Sequence, residues 1–333
     1  MHRPDRCAAW AARGQCVQRY LIRRILLLIP TLLLASVLIF GIIALAPGDP
    51  ARMMLGTQAT PEEVAVERER LGLDRPIPVR YAIWLTDVVQ LNLGVSQSNR
   101  RPVASLIADA VPNTLRLALI SLAVAMLIGF PMGVLAAVNA NRRIDTIITG
   151  INSLGLAMPA FWFGLLLILL FSVQLRWLPA SGIGEPNRPL YERLEYLIMP
   201  VATIALSNLS VFSRYVRSAM IDVLSADYVR TARAKGLSER VVIFSHALRN
   251  AMIPVVTIVG IQFGRLLGGA VVTESIFAFP GIGRLVINSI ANRDYPVVQA
   301  TLMLVVLIFL ITNIIIDASY AFLDPRVKLE RAR

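Results

Sequence analysis

Histidine, cysteine and lysine are scarce in this chain of 333 residues, which contains two of each. His2 and His246 are far apart in the sequence, and neither a serine–histidine–aspartate set nor an HExxH zinc sequence accompanies them, so no hydrolase site is predicted. The Walker A pattern GxxxxGK[ST] is absent, so ATP hydrolysis would have to occur on another chain. Cys7 and Cys16 predict neither a disulfide framework nor a metal site. We therefore expect no catalytic residues, metal or cofactor on this chain.

Charged residues are also scarce, at 16% of the chain, whereas 56% of the residues are hydrophobic and the mean hydropathy is +0.66. This composition excludes a water-soluble globular protein. Four charge-free runs have the length of about 20 residues that a helix needs to cross about 30 Å of hydrocarbon. They are Ile25–Ala46, Leu117–Val138, Ile147–Leu175 and Val297–Ile316. With two weaker runs, Leu197–Phe212 and Val255–Ile276, the sequence predicts an all-α, multi-pass membrane protein with six spans.

The net charge of +12 is unevenly placed along the chain. Four segments carry 19 Lys or Arg against 7 Asp or Glu, and the rest of the chain carries 14 of each. These segments are 1–24, 139–145, 213–254 and 324–333. Because cytoplasmic segments of membrane proteins accumulate Lys and Arg, both termini are predicted to lie in the cytoplasm. The expected partner of these charges is the anionic membrane lipid surface, and no nucleic acid is expected.

The predicted organisation follows from these spans. The first run has 22 apolar residues, more than the roughly 7–15 of a signal peptide, so it is interpreted as an uncleaved anchor. The predicted parts are an N-terminal cytoplasmic tail 1–24, a first span 25–46, an extracytoplasmic loop domain 47–113, a five-helix transmembrane domain 114–323 that includes a cytoplasmic loop 213–254, and a C-terminal cytoplasmic tail 324–333.

The segment 47–113 contains the signals of a folded helix. Thr60 is placed as the N-cap, Pro61 at the first helical position and Glu63 where it closes a capping box. Gly72 can end this helix. The segment is thus predicted to form a small extracytoplasmic domain that leans on the membrane spans, with a plain linker as the alternative.

Small residues recur every fourth position in two of the spans. They are Ser121, Ala125, Gly129, Gly133 and Ala137 in the second span, and Gly260, Gly264 and Gly268 in the fifth. This spacing places each set on one helical face, where backbones can approach closely.

Polar and ionisable residues within apolar spans are candidates for a solute pathway, because a charge there must face water or other protein. The candidates are Gln262, Arg265, Asn313 and Asp317. The alternative for Arg265 is a paired charge that fixes helix register. Glu274 and Asp317 lie close to span ends, which favours an interfacial position for both.

A polar, basic stretch interrupts the apolar pattern between Ser213 and Pro254. Residues 227–235 are compatible with a helix, Gly236 can adopt the positive φ that ends one, and Ser238 can cap a second helix that runs toward Pro254. The pattern predicts two short helices that present a docking surface on the cytoplasmic side. An amphipathic loop that touches only lipid is the alternative.

RTARAKG at residues 230–236 and HALRN at residues 246–250 resemble the two halves of the EAA-type motif in permease subunits of ABC importers. Both sequences are similar to those of the dipeptide/oligopeptide branch of that family, which includes nickel and glutathione permeases. Arg230 and Thr231 stand where Glu and Ala are usual, and Arg249 replaces Pro. Further matches are PGDP at 47–50, LGxS at 93–96, FPGIGRL at 279–285, RDYPVVQ at 293–299 and LDPR at 323–326.

The resemblance implies an importer-type permease fold in the bacterial cytoplasmic (inner) membrane. It also implies a second permease subunit, two ATPase subunits that hold ATP and Mg²⁺, and an extracytoplasmic solute-binding protein. The residues expected to couple the chain to the ATPase are Arg230, Thr231, Ala232, Ala234, Lys235, Gly236, His246, Leu248 and Asn250. The expected solutes are dipeptides or oligopeptides, with glutathione or nickel chelates as alternatives. From a different class, a membrane receptor or signalling scaffold remains open.

Overall fold

The computed structural model describes residues 6–45, 49–56, 58–185 and 190–323, and within these ranges the chain is helical apart from turns and one isolated β-bridge, Val95–Pro102. The helices are α1 Arg6–Ala44, α2 Pro50–Leu55, α3 Pro61–Arg70, α4 Ile77–Val89, α5 Val103–Val138, α6 Arg143–Ala157, α7 Ala160–Leu167, α8 Leu190–Leu224, α9 Asp227–Ala234, α10 Glu239–Val241, α11 Arg249–Gly269, α12 Val271–Ile276, α13 Ile282–Ala291 and α14 Tyr295–Leu323. Two π-helical segments, Ile168–Gln174 and Val242–Leu248, follow α7 and α10.

Four of these helices are long and apolar enough to span a membrane, namely α1, α5, α8 and α14. Two further spans result if each of two bent helix pairs crosses once. One pair is Arg143–Ala157 with Ala160–Gln174, bent by 98°, and the other is Glu239–Met252 with Pro254–Leu266, bent by 51°. The prediction of a helical membrane protein is confirmed, with up to six candidate spans in the described part of the chain.

The run Ile147–Leu175 is therefore not the single straight span that its composition predicted. The backbone of Met158 is extended, with φ −75° and ψ 124°, and α7 begins directly after Pro159. A proline disfavours the helical conformation of the residue before it, which explains a break at this position. The chain turns by 98° there.

Two helices extend beyond the apolar runs that predicted them. Helix α8 continues to Leu224, so the polar stretch after this span begins near Ser225 rather than at Ser213. The helical segment Glu239–Met252 runs toward Pro254 as predicted, and the chain bends by 51° before Pro254–Leu266 continues. Helix α5 begins at Val103, well before the apolar run that revealed it. Polar helix turns outside the apolar core carry no hydropathy signal, which is why composition missed them.

The small-residue face of α5 packs against α8. A Cβ atom on Gly129 would lie 2.7 Å from the carbonyl oxygen of Leu209, and one on Gly133 would lie 2.6 Å from that of Ser213. Contacts this short leave no room for any side chain. The close approach predicted from the four-residue spacing is thus present between these two helices, and Gly260 of α11 makes a similar approach to Ile316 of α14.

The predicted capping box at the start of α3 is confirmed. The backbone N–H of Thr60 donates to Glu63 Oε2 at 2.8 Å, and the backbone N–H of Glu63 donates to Thr60 Oγ1 at 3.3 Å. Gly72, with φ +64°, follows the helix as expected. Its N–H donates to the carbonyl of Glu69 and that of Leu73 donates to the carbonyl of Arg68, the pair of bonds that closes a Schellman motif.

Helix α4 rests on the apolar part of α1. The hydroxyls of Tyr81 and Ser36 are hydrogen-bonded at 2.8 Å, and the ring of Phe40 lies 5.5 Å from that of Tyr81 and 5.6 Å from that of Trp84. Ser36 is fully buried although it lies within the candidate span of residues 26–44. The segment before α5 is consequently packed against a membrane helix.

Glu274 is fully buried within the protein. Its carboxylate accepts hydrogen bonds from Thr114 Oγ1 at 2.6 Å and from the backbone N–H groups of Gly283 at 2.7 Å and Arg284 at 3.2 Å. These N–H groups belong to the first turn of α13, where unpaired donors and the helix dipole favour a negative charge. The FPGIGRL sequence thus wraps around Glu274, and a Cβ on Gly281 would collide with the carboxylate.

Asp294 joins the LGxS and RDYPVVQ sequences, which are about two hundred residues apart. Its carboxylate accepts hydrogen bonds from Ser96 Oγ and Ser98 Oγ and from the backbone N–H groups of Gln97 and Ser98. Burial raises the pKa of the Asp294 carboxyl, but these hydrogen bonds outweigh burial and hold the pKa below its ordinary value. The carboxylate fastens the loop before α5 to the start of α14.

We expect Asp294→Asn to loosen this loop, because an amide nitrogen cannot accept the hydrogen bonds that a carboxylate oxygen accepts. The loss should cost about 1–3 kcal/mol of local stability. A group with a lowered folded pKa stabilises the fold above its unfolded pKa, and the contribution disappears as the pH falls through the folded pKa. Hydrogen exchange of residues 93–101, corrected for intrinsic rates, should therefore accelerate in the variant at neutral pH and in the unchanged protein only in acid. Asp109→Asn, which disrupts an exposed pair with Arg101, should leave exchange unchanged.

Candidate coupling site and polar residues within the spans

Helix α9 is fixed to the rest of the chain by one apolar face. Val229 is fully buried and Ala232 is 7% exposed, and both pack against Val242 of the following π-helical segment and against the end of α8. The opposite face is solvent-exposed and carries Arg230, Thr231, Ala234 and Lys235. The side chain of Ala232 accordingly supports the helix from within, whereas these four side chains are open to contact.

Gly236 ends α9 as the sequence predicted. It has φ +79°, its N–H donates to the carbonyl of Arg233 at 2.9 Å, and the N–H of Leu237 donates to the carbonyl of Ala232 at 3.4 Å. These two bonds define a Schellman motif with glycine in the left-handed position. A Cβ at Gly236 would meet nothing within 4 Å, so backbone conformation rather than space favours glycine here.

An ion pair spans the turn after Gly236. Arg233 Nε donates to Glu239 Oε1 at 2.8 Å and Arg233 Nη2 donates to Glu239 Oε2 at 3.3 Å. Both side chains are largely exposed, so the pair contributes little to global stability. Ser238 occupies the predicted N-cap position of α10, but its side chain forms no capping hydrogen bond. The ion pair, rather than the serine, therefore ties the two sides of the turn together.

The HALRN residues, 246–250, are hydrogen-bonded to α9. Asn250 Nδ2 donates to Tyr228 Oη at 3.0 Å and to the carbonyl of His246 at 3.0 Å. His246 and Leu248 are half-buried. We call residues 227–250 the basic hairpin. The two halves of the motif are in contact within the basic hairpin, because Asn250 of HALRN is hydrogen-bonded to Tyr228 of α9, the helix that contains residues 230–234.

The basic hairpin packs against the ends of two long helices, α5 and α8. Ala247 and Ala251 are fully buried against Val216 and Met220 of α8, and Ala137 at the end of α5 completes this cluster. A displacement of the hairpin would therefore move α8 with it, because interiors packed at this density transmit strain.

A buried ion pair links α8 to α6 beside this cluster. Arg217 Nε and Nη2 donate to Asp145 Oδ1 and Oδ2 at 2.6 and 2.7 Å. The side chain of Asp145 is 6% exposed and that of Arg217 is 29% exposed. Asp145 Oδ2 also accepts the backbone N–H of Asn141. The two-point contact fixes the start of α6 to α8.

We expect Asp145→Asn to destabilise the protein strongly, because the change leaves the Arg217 charge without its buried partner. The cost should lie at the lower end of about 3–5 kcal/mol, since solvent reaches part of the guanidinium. Thermal unfolding of the purified protein measures this change. Asp227→Asn is the matched control, because its pair with Arg230 is exposed and should contribute less than about 1 kcal/mol. Equal losses in the two variants would contradict a structural role for the Asp145 pair.

Two of the candidate pathway residues lie together in the structure. Gln262 is 8% exposed and its Nε2 donates to Asn208 Oδ1 of α8 at 2.9 Å. Arg265 Nη1 donates to Gln262 Oε1 at 3.3 Å, and the Arg265 side chain is exposed within this chain. The described contacts do not extend this group to Asn313, whose amide donates to the carbonyl of Phe309 in its own helix. The side chain of Asp317 lies outside the described residues.

Comparisons with known proteins bear on the whole chain. The family "Binding-protein-dependent transport system inner membrane component" matches residues 129–329, and the family of the corresponding N-terminal part matches residues 17–118. The glutathione transport system permease protein GsiC of Salmonella typhi is 44% identical over 309 residues, which cover 93% of this chain and 98% of that protein. GsiC of Escherichia coli (strain K12) is 43% identical with the same coverage.

Solved structures show the same fold at low sequence identity. A chain of the MetNI methionine ABC transporter in an inward-facing conformation has a TM-score of 0.57 and 17% identity, covering 67% of this chain and 98% of that one. A chain of an amino acid ABC transporter has a TM-score of 0.51 and 14% identity, covering 66% of this chain and 95% of that one.

Proposed function

The chain belongs to the binding-protein-dependent transport system inner membrane components, the permeases of ABC importers, and we propose that the solute it passes is a short peptide of the glutathione kind. It is a multi-pass inner-membrane transport subunit, and the family works with an ATPase and a binding protein. This membership sets aside the receptor or scaffold interpretation. The observation that supports the solute is the 44% identity to a glutathione permease over nearly the full length of both proteins.

The chemistry of the spans is compatible with such a solute. Glutathione is a tripeptide with two carboxylates, and the exposed guanidinium of Arg265 is a partner for a carboxylate in a water-filled pathway. The amide of Gln262 orients this guanidinium from behind. Arg265 must face water or another protein chain in the membrane, which supports a position at the pathway. Asn313 and Asp317 remain candidates for more distant parts of the same lining.

The energy for transport is proposed to enter at the basic hairpin. A second permease subunit and two ATPase subunits complete the membrane complex, with ATP and Mg²⁺ held by the ATPases and both termini of this chain in the cytoplasm. The exposed face of α9 fits into a cleft on one ATPase, and closure of the ATPase pair on ATP moves the hairpin together with α8. A ligand shifts such an equilibrium only by its differential affinity for the two states, so the hairpin has to be stiff. Its Schellman motif, ion pair and buried base support that requirement.

The test of the proposed solute is uptake by cells that lack their own importers for it. The chain is expressed with its partner subunits, and cells are supplied with labelled glutathione, a labelled dipeptide or nickel. We expect ATP-dependent uptake of glutathione that competes with unlabelled short peptides. Uptake of nickel alone would contradict the peptide assignment while leaving the permease assignment intact.

A further inference from the structure

A cavity of about 650 Å³ lies between the α3–α4 turn, the end of α1 and the start of α14. Its apolar wall comprises Phe40, Ile43, Ile83 and Trp84. Basic and acidic side chains also line the cavity, together with the amides of Gln97 and Gln299. The volume lies within the range of about 300–1,000 Å³ that small-ligand pockets occupy.

The cavity lies beside the ends of two candidate membrane spans. Phe40 and Ile43 lie in the last turns of the candidate span 26–44, and Tyr295 and Gln299 lie in the first turns of the span 295–316. The hydrogen bond between Tyr81 and Ser36 holds α4 beside the apolar part of α1. Rings such as those of Trp84 and Tyr295 are typical of the interface between hydrocarbon and water.

Charges of both signs without ion-pair partners line the cavity. Arg68 and Arg70 are paired with Asp49 and Glu67. Arg75 and Arg80, in contrast, form no ion pair within the described residues, and the same holds for Glu69 and Asp87 in those ranges. A ligand that complements them carries a negative and a positive group.

A buried amide also lacks a partner in this cavity. Gln299 is only 9% exposed, and its side chain makes no hydrogen bond with any residue in the described ranges. Its amide atoms are not among the fully buried unpaired polar atoms of the described residues, so they reach the open space of the cavity and can hydrogen-bond to a polar ligand group. Nearby on α4, Val79 and Ile83 are exposed apolar side chains that suit hydrocarbon rather than water.

The geometry points to a binding site for a phosphoethanolamine headgroup of a membrane phospholipid in this cavity. The phosphate is placed between Arg75 and Arg80, because guanidinium groups recognise phosphate oxygens by paired hydrogen bonds. The ammonium group is placed toward Asp87 and Glu69, and Gln299 donates to the glycerol ester. The acyl chains then lie along Ile83 and the neighbouring apolar face of α4. The topology predicted from the charge distribution puts this site on the opposite membrane side from the basic hairpin.

Native mass spectrometry of the complete, delipidated transporter complex tests this assignment. Phosphatidylethanolamine, phosphatidylcholine and diacylglycerol are titrated separately, and inorganic phosphate is added in a fourth series. The doubly substituted variant Arg75→Gln/Arg80→Gln is compared with the unchanged complex. Arg101→Gln is the matched control, because Arg101 is a paired surface arginine of the same segment that does not line the cavity.

We expect the double variant to bind phosphatidylethanolamine about tenfold more weakly, and the control to bind it as before. Phosphatidylcholine should bind more weakly than phosphatidylethanolamine, because its headgroup has no N–H donors for Asp87 and Glu69. Equal affinity of the double variant, or equal binding of diacylglycerol, would overturn the proposal. Saturation of the site by inorganic phosphate without competition from the lipid would show a free phosphate site and also overturn it.

Discussion

Replacing Gly236 by valine is expected to abolish most transport while ATP hydrolysis by the complex continues. Gly236 has φ +79°, and a β-branched residue in the left-handed region costs about 1–2 kcal/mol. That cost shifts the equilibrium between the present turn and other turns about 5- to 30-fold. Because the turn orients the exposed face of α9, its loss should separate hydrolysis from solute movement. The measurement is the ratio of solute transported to ATP hydrolysed in proteoliposomes.

Gly72→Val is the matched control for this experiment. Gly72 ends α3 with φ +64° in the same pair of hydrogen bonds, but it lies in the segment before α5. The backbone strain of the two variants is thus similar, and only the Gly236 variant should change the transport ratio. Gly236→Asn should retain much of the activity, since asparagine tolerates the left-handed region better than valine. An unchanged ratio in Gly236→Val would contradict a role of this turn in coupling.

Replacing Gly133 by alanine is expected to destabilise the membrane domain. A single methyl group at this position would lie 2.6 Å from the carbonyl oxygen of Ser213, so α5 and α8 would have to separate. Overpacking of this kind costs about 1–3 kcal/mol, with more where backbone atoms make the contact. We expect a lower Tm of the purified protein and a lower amount of it in the membrane.

Gly150→Ala is the control for the Gly133 variant. Gly150 also lies within a helix, but a Cβ at this position meets nothing within 4 Å. Alanine favours a helix over glycine by up to about 1 kcal/mol, so the control should unfold at the same or a higher temperature. A Tm of Gly133→Ala that matches the control would show that the α5–α8 contact is looser than its distances indicate.

Features that depend on residues close together in the sequence could be predicted from it. The four-residue spacing of small residues predicted the face of α5 that packs closely, and Gly129 and Gly133 do lie against α8. The capping box at Thr60 and Glu63 and the helix end at Gly236 also follow from residues next to one another in the chain. Hydropathy located an apolar part of each candidate span, although the runs in α8 and α11 were weaker than the others.

Features that depend on distant residues could not be predicted in this way. The burial of Glu274 requires the first turn of α13 to fold back over it, and nothing beside Glu274 in the sequence shows that turn. The contact between Asp294 and Ser96 joins two motifs that were recognised separately. Met158 and Pro159 lie in a run whose hydropathy is continuous, so composition concealed the bend of 98°. Ala232 was expected at a docking contact, whereas packing turns its side chain inward.

Photo-crosslinking can show whether the basic hairpin contacts an ATPase subunit. A photoreactive amino acid is placed at Ala234, which is exposed on α9, and separately at Glu62, which is exposed on α3. The complete complex is irradiated with and without ATP. We expect Ala234 to crosslink to an ATPase subunit, with a yield that changes on addition of ATP, and Glu62 to give no ATPase crosslink. A crosslink to the ATPase from Glu62, with none from Ala234, would contradict the account.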